Sequence, residues 1–235
     1  MNFIITVDAG NSKTKCALFN SKNECLKLFD LLNIEKVIKE FDLKKENTNA
    51  VVSNVTKTKI ELTFSTLEIS SLFEDGMFLD MKVNYNETLG IDRLAIAYHH
   101  YKSKPLPALL IDTGTFSTLD TVSSSGFEGG FILPGLGTIE RTYLRGANLP
   151  EVKADYNDLL DTPHSTLEAI SRGAWLTYIA PIEKVIDSNS SEVVVITGGN
   201  SKTLFQYLSK SSSSPLQVDE NLIHKALFFI KNMVE

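Results

Sequence analysis

Cysteine is scarce in this chain: two in 235 residues, Cys16 and Cys25. Neither has cysteine or histidine neighbours at metal-ligand spacing, which removes a zinc knuckle as an organising element. Cys16 lies in an apolar run and reads as a buried, reduced thiol. Long apolar stretches are missing too. No run approaches the ~18 residues that span a bilayer, and the opening MNFIITVDAG enters a strand without the charged start of a signal peptide. The expected setting is therefore the cytoplasm, with no membrane partner. Positive charge is in deficit, 23 Lys and Arg against 29 Asp and Glu for a formal charge of −6. That sign argues against a nucleic-acid or anionic-membrane surface, although local basic pockets remain compatible with it.

What is present suits a globular protein. With 43% hydrophobic and 22% charged residues, the chain can form one large domain or two small lobes around a real core. Its organising feature is a repeat. Residues 4–19, IITVDAGNSKTKCALF, are echoed by residues 109–122, LLIDTGTFSTLDTV. Each reads as an apolar strand ending on Asp, a tight Gly-containing turn and a second strand. Asp8, Gly10, Asn11 and Thr14 match Asp112, Gly114, Thr115 and Thr118. The aspartates stand roughly 100 residues apart, about one compact lobe, so two facing copies of a half-domain are expected. Such a turn suits a phosphate chain: glycine lets the backbone approach a polyanion, N–H groups and hydroxyls donate, and the carboxylate holds a charge-cancelling metal. One copy could be an ordinary hairpin with an Asx turn; the repetition favours the nucleotide.

Further along, a third strand is expected near Leu26–Phe29, a helix over 34–41 and a strand over 50–54, followed by weakly patterned sequence to about Met81. Residues 90–101, GIDRLAIAYHHY, open a helix with Ile91, Leu94, Ala95, Tyr98 and Tyr101 on its apolar stripe. Asp92 then falls in the first turn, where it can simply offset the helix dipole. Alternatively it is a general base beside Arg93, whose planar guanidinium matches a carboxylate. These residues by themselves favour the plainer account. His99 and His100 are expected to be partly exposed. Gly129 and Gly130 lie in a strand over 126–134, where glycine marks close backbone approach, and a helix over 136–145 follows. A long helix over 164–187 takes Ser165 or Thr166 as its N-cap. Gly198 and Gly199 join a buried strand to a helix, either a platform for a base and ribose or a tight corner. The last helix, over 219–234, takes Asp219 as its cap.

Taken in order, six segments resemble the type III pantothenate kinase family, a branch of the acetate kinase, sugar kinase, heat-shock chaperone and actin superfamily. They are DAGNS at Asp8–Ser12, LGIDR at Leu89–Arg93, DTGT at Asp112–Thr115, GGFILPGL at Gly129–Leu136, TLEAISRG at Thr166–Gly173 and TGG at Thr197–Gly199. The resemblance implies an α/β fold of two duplicated RNase H-like lobes with mixed sheets and a nucleotide cleft between them, divided as 1–88 and 89–235. It implies an obligate homodimer and ATP-dependent phosphorylation of pantothenate, the first committed step towards coenzyme A.

Carried over by position, Asp8, Ala9, Gly10, Asn11, Ser12, Lys13, Thr14 and Lys15 form the first phosphate loop. Thr115, Gly198 and Gly199 also meet ATP. Asp92 is the proton acceptor, while Tyr85, Gly90, Ile91, Asp92 and Arg93 contact pantothenate. Thr166 reaches it from the neighbouring subunit. Asp112 binds a monovalent cation, potassium or ammonium, and Asp8 a magnesium ion. Three departures stand out: Tyr85 lies five residues before Gly90 where the family tyrosine lies seven before, Ser165-Thr166 replaces Asn-Thr, and Ala226-Leu227 replaces a closing Gly-Leu. The alternatives are another small-molecule kinase of the superfamily, acting on a sugar or acyl substrate, and a catalytically silent regulatory homologue.

Overall fold

The structure is a computed structural model that describes residues 2–86, 88–103, 105–146, 148–157 and 159–234. It opens on a meander of β1 (Phe3–Ala9), β2 (Thr14–Asn20) and β3 (Cys25–Asp30). Helix α1 (Ile34–Phe41) then crosses to β4 (Thr48–Asn54), and β5 (Ser65–Glu68) completes a sheet in the order β3-β2-β1-β4-β5. β1 pairs antiparallel with β2 and parallel with β4. Three two-residue strands, β6 (Phe73–Glu74), β7 (Met77–Phe78) and β8 (Met81–Lys82), make a small sheet where the sequence showed little pattern, and α2 (Ile91–Ser103) follows.

The second half repeats the plan. β9 (Ala108–Thr113), β10 (Phe116–Ser123), β11 (Gly126–Pro134), β12 (Val193–Thr197) and β13 (Leu216–Val218) form a sheet ordered β11-β10-β9-β12-β13. Again the first strand is central, antiparallel to its hairpin partner and parallel to the strand on its other side. Helices α3 (Leu136–Tyr143), α4 (Thr166–Ser188) and α5 (Ser201–Leu208) belong to this half, and α6 (Leu222–Val234) ends the chain. The fold is therefore α/β with two mixed sheets of one duplicated topology. No described helix is long and apolar enough to cross a membrane.

Strand alternation builds each core. On β1, Phe3, Ile5 and Val7 join Cys16, Leu18, Ala50, Val52 and Val37 of α1 in one apolar cluster. The period of two sends Thr6 and Asp8 to the opposite face. In the second sheet Leu109, Ile111, Val194 and Ile196 pack with Trp175, Tyr178 and Ile182 of α4 and Leu204 of α5. Cys16 is fully buried, and burial pushes its thiol up to about 12, as expected of an inert core cysteine.

By packing, the chain falls into two compact units. The first holds residues 2–103, 125–128 and 221–234, and the second 105–124 and 129–220. This grouping differs from a division at 88/89 because α2 packs on β4 and against α6, and α6 packs on β1. α2 is buried over most of its circumference, with Ile96, Ala97 and His100 as well as Ile91, Leu94, Ala95 and Tyr98 of the expected stripe, whereas Tyr101 is half-buried. His100 is thus a core residue, contrary to the partly exposed position expected. The last helix starts three residues later than the expected 219, at Leu222, and the Asp219 N–H donates to the carbonyl of Ile196 at 3.0 Å, continuing β13.

The side chain that ties α6 to the sheet is His224, whose Nδ1 lies 2.8 Å from Thr6 Oγ1 in a buried hydrogen bond. Burial, helped by the charge of Lys15, pulls its pKa from 6.5 down to about 4. The folded chain therefore refuses a proton that the unfolded chain accepts. This contribution is fully present above pH 6.5 and drains away as the pH falls towards 4. Each unit of the depression is worth about 1.4 kcal/mol. Urea titrations of the parent and His224→Asn from pH 7.5 to 4.5 are expected to show stability falling more steeply with acid in the parent; parallel profiles would refute a buried neutral imidazole.

Candidate functional site

The first candidate loop is the β1–β2 hairpin. Asp8 pairs with Lys15 and Ala9 with Thr14, and the Gly10 N–H closes the turn on the Lys13 carbonyl at 3.2 Å. Asn11, Ser12 and Lys13 form an exposed tip, whereas Ala9 is buried and can offer only backbone. The pleat places Asp8 and Lys15 on the Thr6 face, and the field of Lys15 reaches His224 there. Ser53 of β4 stands opposite Asp8 in the parallel register. Its Oγ is buried and has no hydrogen-bond partner among the described residues.

The same unit carries the start of α2. The carboxylate of Asp92 accepts the Arg93 N–H at 2.8 Å. Gly90 makes this possible, because a Cβ there would stand 2.6 Å from Asp92 Oδ1. Burial holds the Asp92 carboxyl above the ordinary carboxylate range, while the Arg93 N–H and guanidinium pull it back. Ile91 is buried, so what it can offer a ligand is backbone. Arg93 is only 6% exposed, and its guanidinium carbon lies 5.3 Å from the ring centroid of Tyr85. Tyr85 is thus next to the Gly90–Arg93 turn despite its shifted spacing in sequence.

The second unit builds its loop from three segments. Asp112 pairs with Thr118 rather than with a residue seven positions on, as Asp8 does, so the second turn is one residue tighter than the first. The matched Thr14 and Thr118 consequently occupy different rungs. Around Asp112 the backbone is crowded. Gly198 has φ +88°, and a Cβ on it would fall 2.3 Å from Asp112 Oδ1 and 2.8 Å from Thr113 N. Thr113 Oγ1 donates to the Thr197 carbonyl at 2.7 Å and accepts the Asn200 N–H at 3.0 Å, stapling the two strand ends together. Gly135 donates its N–H to the Thr115 carbonyl at 3.0 Å, and Thr138 Oγ1 donates to the same oxygen at 2.7 Å. A Cβ on Gly135 would come within 2.1 Å of the Gly114 carbonyl. Asp112, Thr115, Gly198 and Gly199 thus converge at one end of this sheet, and Ser201, directly beyond, has a buried Oγ with no partner among the described residues.

Thr166 is exposed in the first turn of α4. That helix start is fixed by a reciprocal cap: Ser165 Oγ accepts the Glu168 N–H at 3.2 Å, and Glu168 Oε2 accepts the His164 N–H at 3.0 Å. A groove of about 400 Å³ on the first unit, lined by Phe19, Cys25, His99, Lys225, Phe228 and Phe229 among others, contains none of the candidate residues. Among the described residues no group of three or more His, Cys, Asp or Glu side chains forms a metal cluster.

With these turns in place, the comparison with known proteins is decisive, for the type III pantothenate kinase family model matches residues 4–188. The chain belongs to that family. A type III pantothenate kinase from Colwellia psychrerythraea is 27% identical over 246 residues, 96% of this chain and 97% of its own. That of Persephonella marina is 35% identical over 133 residues, 53% of this chain and 52% of the relative. A Sinorhizobium meliloti protein of the 2-dehydro-3-deoxygalactonokinase type, 11% identical, superposes with a TM-score of 0.63 over 98% of this chain and 96% of its own. At that identity the likeness shows the fold alone.

For this type III pantothenate kinase family member, reasoning from sequence found the three turns but missed the residues that brace them. Gly135 lies in the GGFILPGL segment and Thr138 just beyond it, but their hold on Thr115 depends on a contact distant in sequence. Gly198 and Gly199, equal in the sequence, differ in space: nothing lies within 4 Å of a Cβ built on Gly199. Gly198→Ala is accordingly expected to cost about 1–3 kcal/mol through its positive φ and the clash at Asp112. Gly199→Ala should stay within about 0.5 kcal/mol of the parent. Urea midpoints check the pair, and equal effects would show that Asp112 is not held by Gly198.

Proposed function

We propose that this chain transfers the terminal phosphoryl group of ATP to the primary hydroxyl of pantothenate, as its family name states, giving 4'-phosphopantothenate for coenzyme A synthesis in the cytoplasm. The observation that carries the reading is the Gly90–Arg93 turn: a carboxyl made more basic by burial stands beside a buried guanidinium. An elevated pKa makes Asp92 a stronger proton acceptor, and Arg93 offers the charge a pantothenate carboxylate needs.

The chemistry asked of the protein is mainly positioning and charge neutralisation. Asp92 orients the acceptor hydroxyl and takes its proton late, as the hydroxyl oxygen bonds to the γ-phosphorus and the bond from that phosphorus to the bridging oxygen breaks, leaving ADP. The residues present fit a nucleotide: Gly10 and Gly114 leave the two turns without a side chain at those positions, and Ser53 and Ser201 each have a buried hydroxyl with no partner among the described residues. Asp8 would hold magnesium and Asp112 potassium or ammonium, ions that supply positive charge against the phosphates. Single carboxylates suit cations that take their remaining ligands from phosphate and water. Gly198 and Gly199 would flank the nucleotide, with Thr115 beside them. Thr166, exposed on α4, would reach pantothenate bound to the other subunit of a homodimer.

An ADP-release assay with ATP, magnesium and potassium tests the reading, with pantothenate offered beside a panel of sugars. Turnover is expected with pantothenate; activity on a sugar only would reassign the acceptor, and silence with every acceptor would favour a regulatory homologue. Asp92→Asn is expected to lower kcat by about 100-fold or more while leaving the KM for ATP within about threefold. The same variant should be no less stable than the parent at pH 7. A carboxyl whose folded pKa is raised costs stability as the pH climbs through that value, and the amide removes the cost. Near-parental turnover would remove Asp92 from the mechanism.

If Thr166 acts across a two-fold dimer, mixing Asp92→Asn with Thr166→Ala subunits creates one intact site per heterodimer. Subunit exchange of the two impaired variants should restore about a quarter of parental activity. No recovery after demonstrated exchange would place Thr166 outside the partner's site.

A further inference from the structure

The chain leaves the second unit at Ser124 and re-enters it at Gly129; the four residues between, Ser125–Glu128, belong to the first. They are seated there with little freedom. Gly126 has φ +122°, and a Cβ on it would stand 2.1 Å from the Lys82 carbonyl. Phe127 bridges to Val83 in parallel fashion, and its carbonyl accepts the Asn84 N–H at 2.9 Å. Asn84 Nδ2 donates to Glu128 Oε2, also at 2.9 Å.

This seating places the fully buried Phe127 ring under the acceptor turn. The ring stands edge-on to Tyr85, centroids 6.1 Å apart at 75°. The Arg93 guanidinium carbon lies 5.7 Å from the Phe127 centroid and 5.3 Å from that of Tyr85. A desolvated cation over two aromatic faces is held more strongly than one in water. Tyr85 is 37% exposed and can meet a ligand, whereas Phe127 cannot.

We infer that Phe127 is a positioning residue for the acceptor's carboxylate, acting through the Arg93 guanidinium, which it holds in one place beside Asp92. The inference rests on the assignment of Gly90–Arg93 to the pantothenate site. It gives the four-residue excursion a role in specificity: without the ring, Arg93 would keep its charge and lose its fixed position, weakening recognition of the carboxylate in particular.

The test compares pantothenate with D-pantothenyl alcohol, which keeps the primary hydroxyl and lacks the carboxylate. Phe127→Leu is expected to raise the KM for pantothenate about tenfold, the equivalent of losing most of a buried cation–π contact. The KM for ATP, kcat, and the KM for the alcohol should each change by less than about threefold. Phe78→Leu, which removes another fully buried ring of the same unit, controls for general loss of packing and should move none of these constants selectively. Equal changes with both acceptors, or none, would overturn the inference while leaving the kinase reading intact. A parent inactive on pantothenate would overturn both. Should the leucine variant not fold, Phe127→Met supplies the same comparison.

Discussion

Backbone crowding at the ends of the central strands is the constraint on which this molecule depends. Asp112 stands one residue from the end of β9 where β12 runs beside it, and the turn after β12 passes so near that only a hydrogen atom fits at residue 198. Gly135 presses on the neighbouring Gly114 turn in the same way. Donors and a carboxylate are thereby gathered where a side chain would otherwise stand, the arrangement a phosphate chain requires. Thr113 and Thr138 add hydrogen bonds that keep the segments together.

The first unit solves a different problem with different means. Its Gly90–Arg93 turn buries an acid and a cation side by side, which costs solvation of both. Part of that cost is offset by the Arg93 N–H bond to Asp92 and by the rings of Tyr85 and Phe127. The remaining imbalance leaves Asp92 more basic than an exposed carboxylate, so the expense of burial becomes proton affinity. On the same unit α6 is fastened by a neutral histidine, which gives the fold an acid-sensitive anchor distinct from the chemistry.

Duplication shapes both units, and the copies have diverged in register. The two aspartate turns share their residue pattern, yet Asp8 faces Lys15 while Asp112 faces Thr118. One residue fewer in the second turn brings a hydroxyl instead of a cation opposite the acid. Two similar motifs therefore present different electrostatics, in keeping with different cations proposed for Asp8 and Asp112.

Much was legible along the chain because it depends on neighbours in sequence. The hairpins, α1, the strand over 126–134 and the Ser165 cap follow from periodicity, turn chemistry and local hydrogen bonding, and the ordered motifs identified the family. What depends on segments far apart was not legible. The sequence does not distinguish Gly198 from Gly199, His100 from an exposed helix histidine, or Phe127 from any core aromatic, because each difference is set by what packs against the residue. Pattern and spacing are local properties and determined the elements and the repeat; burial, close approach and the company of Arg93 arise only once distant strands and helices share the same volume, and those the tertiary structure decided.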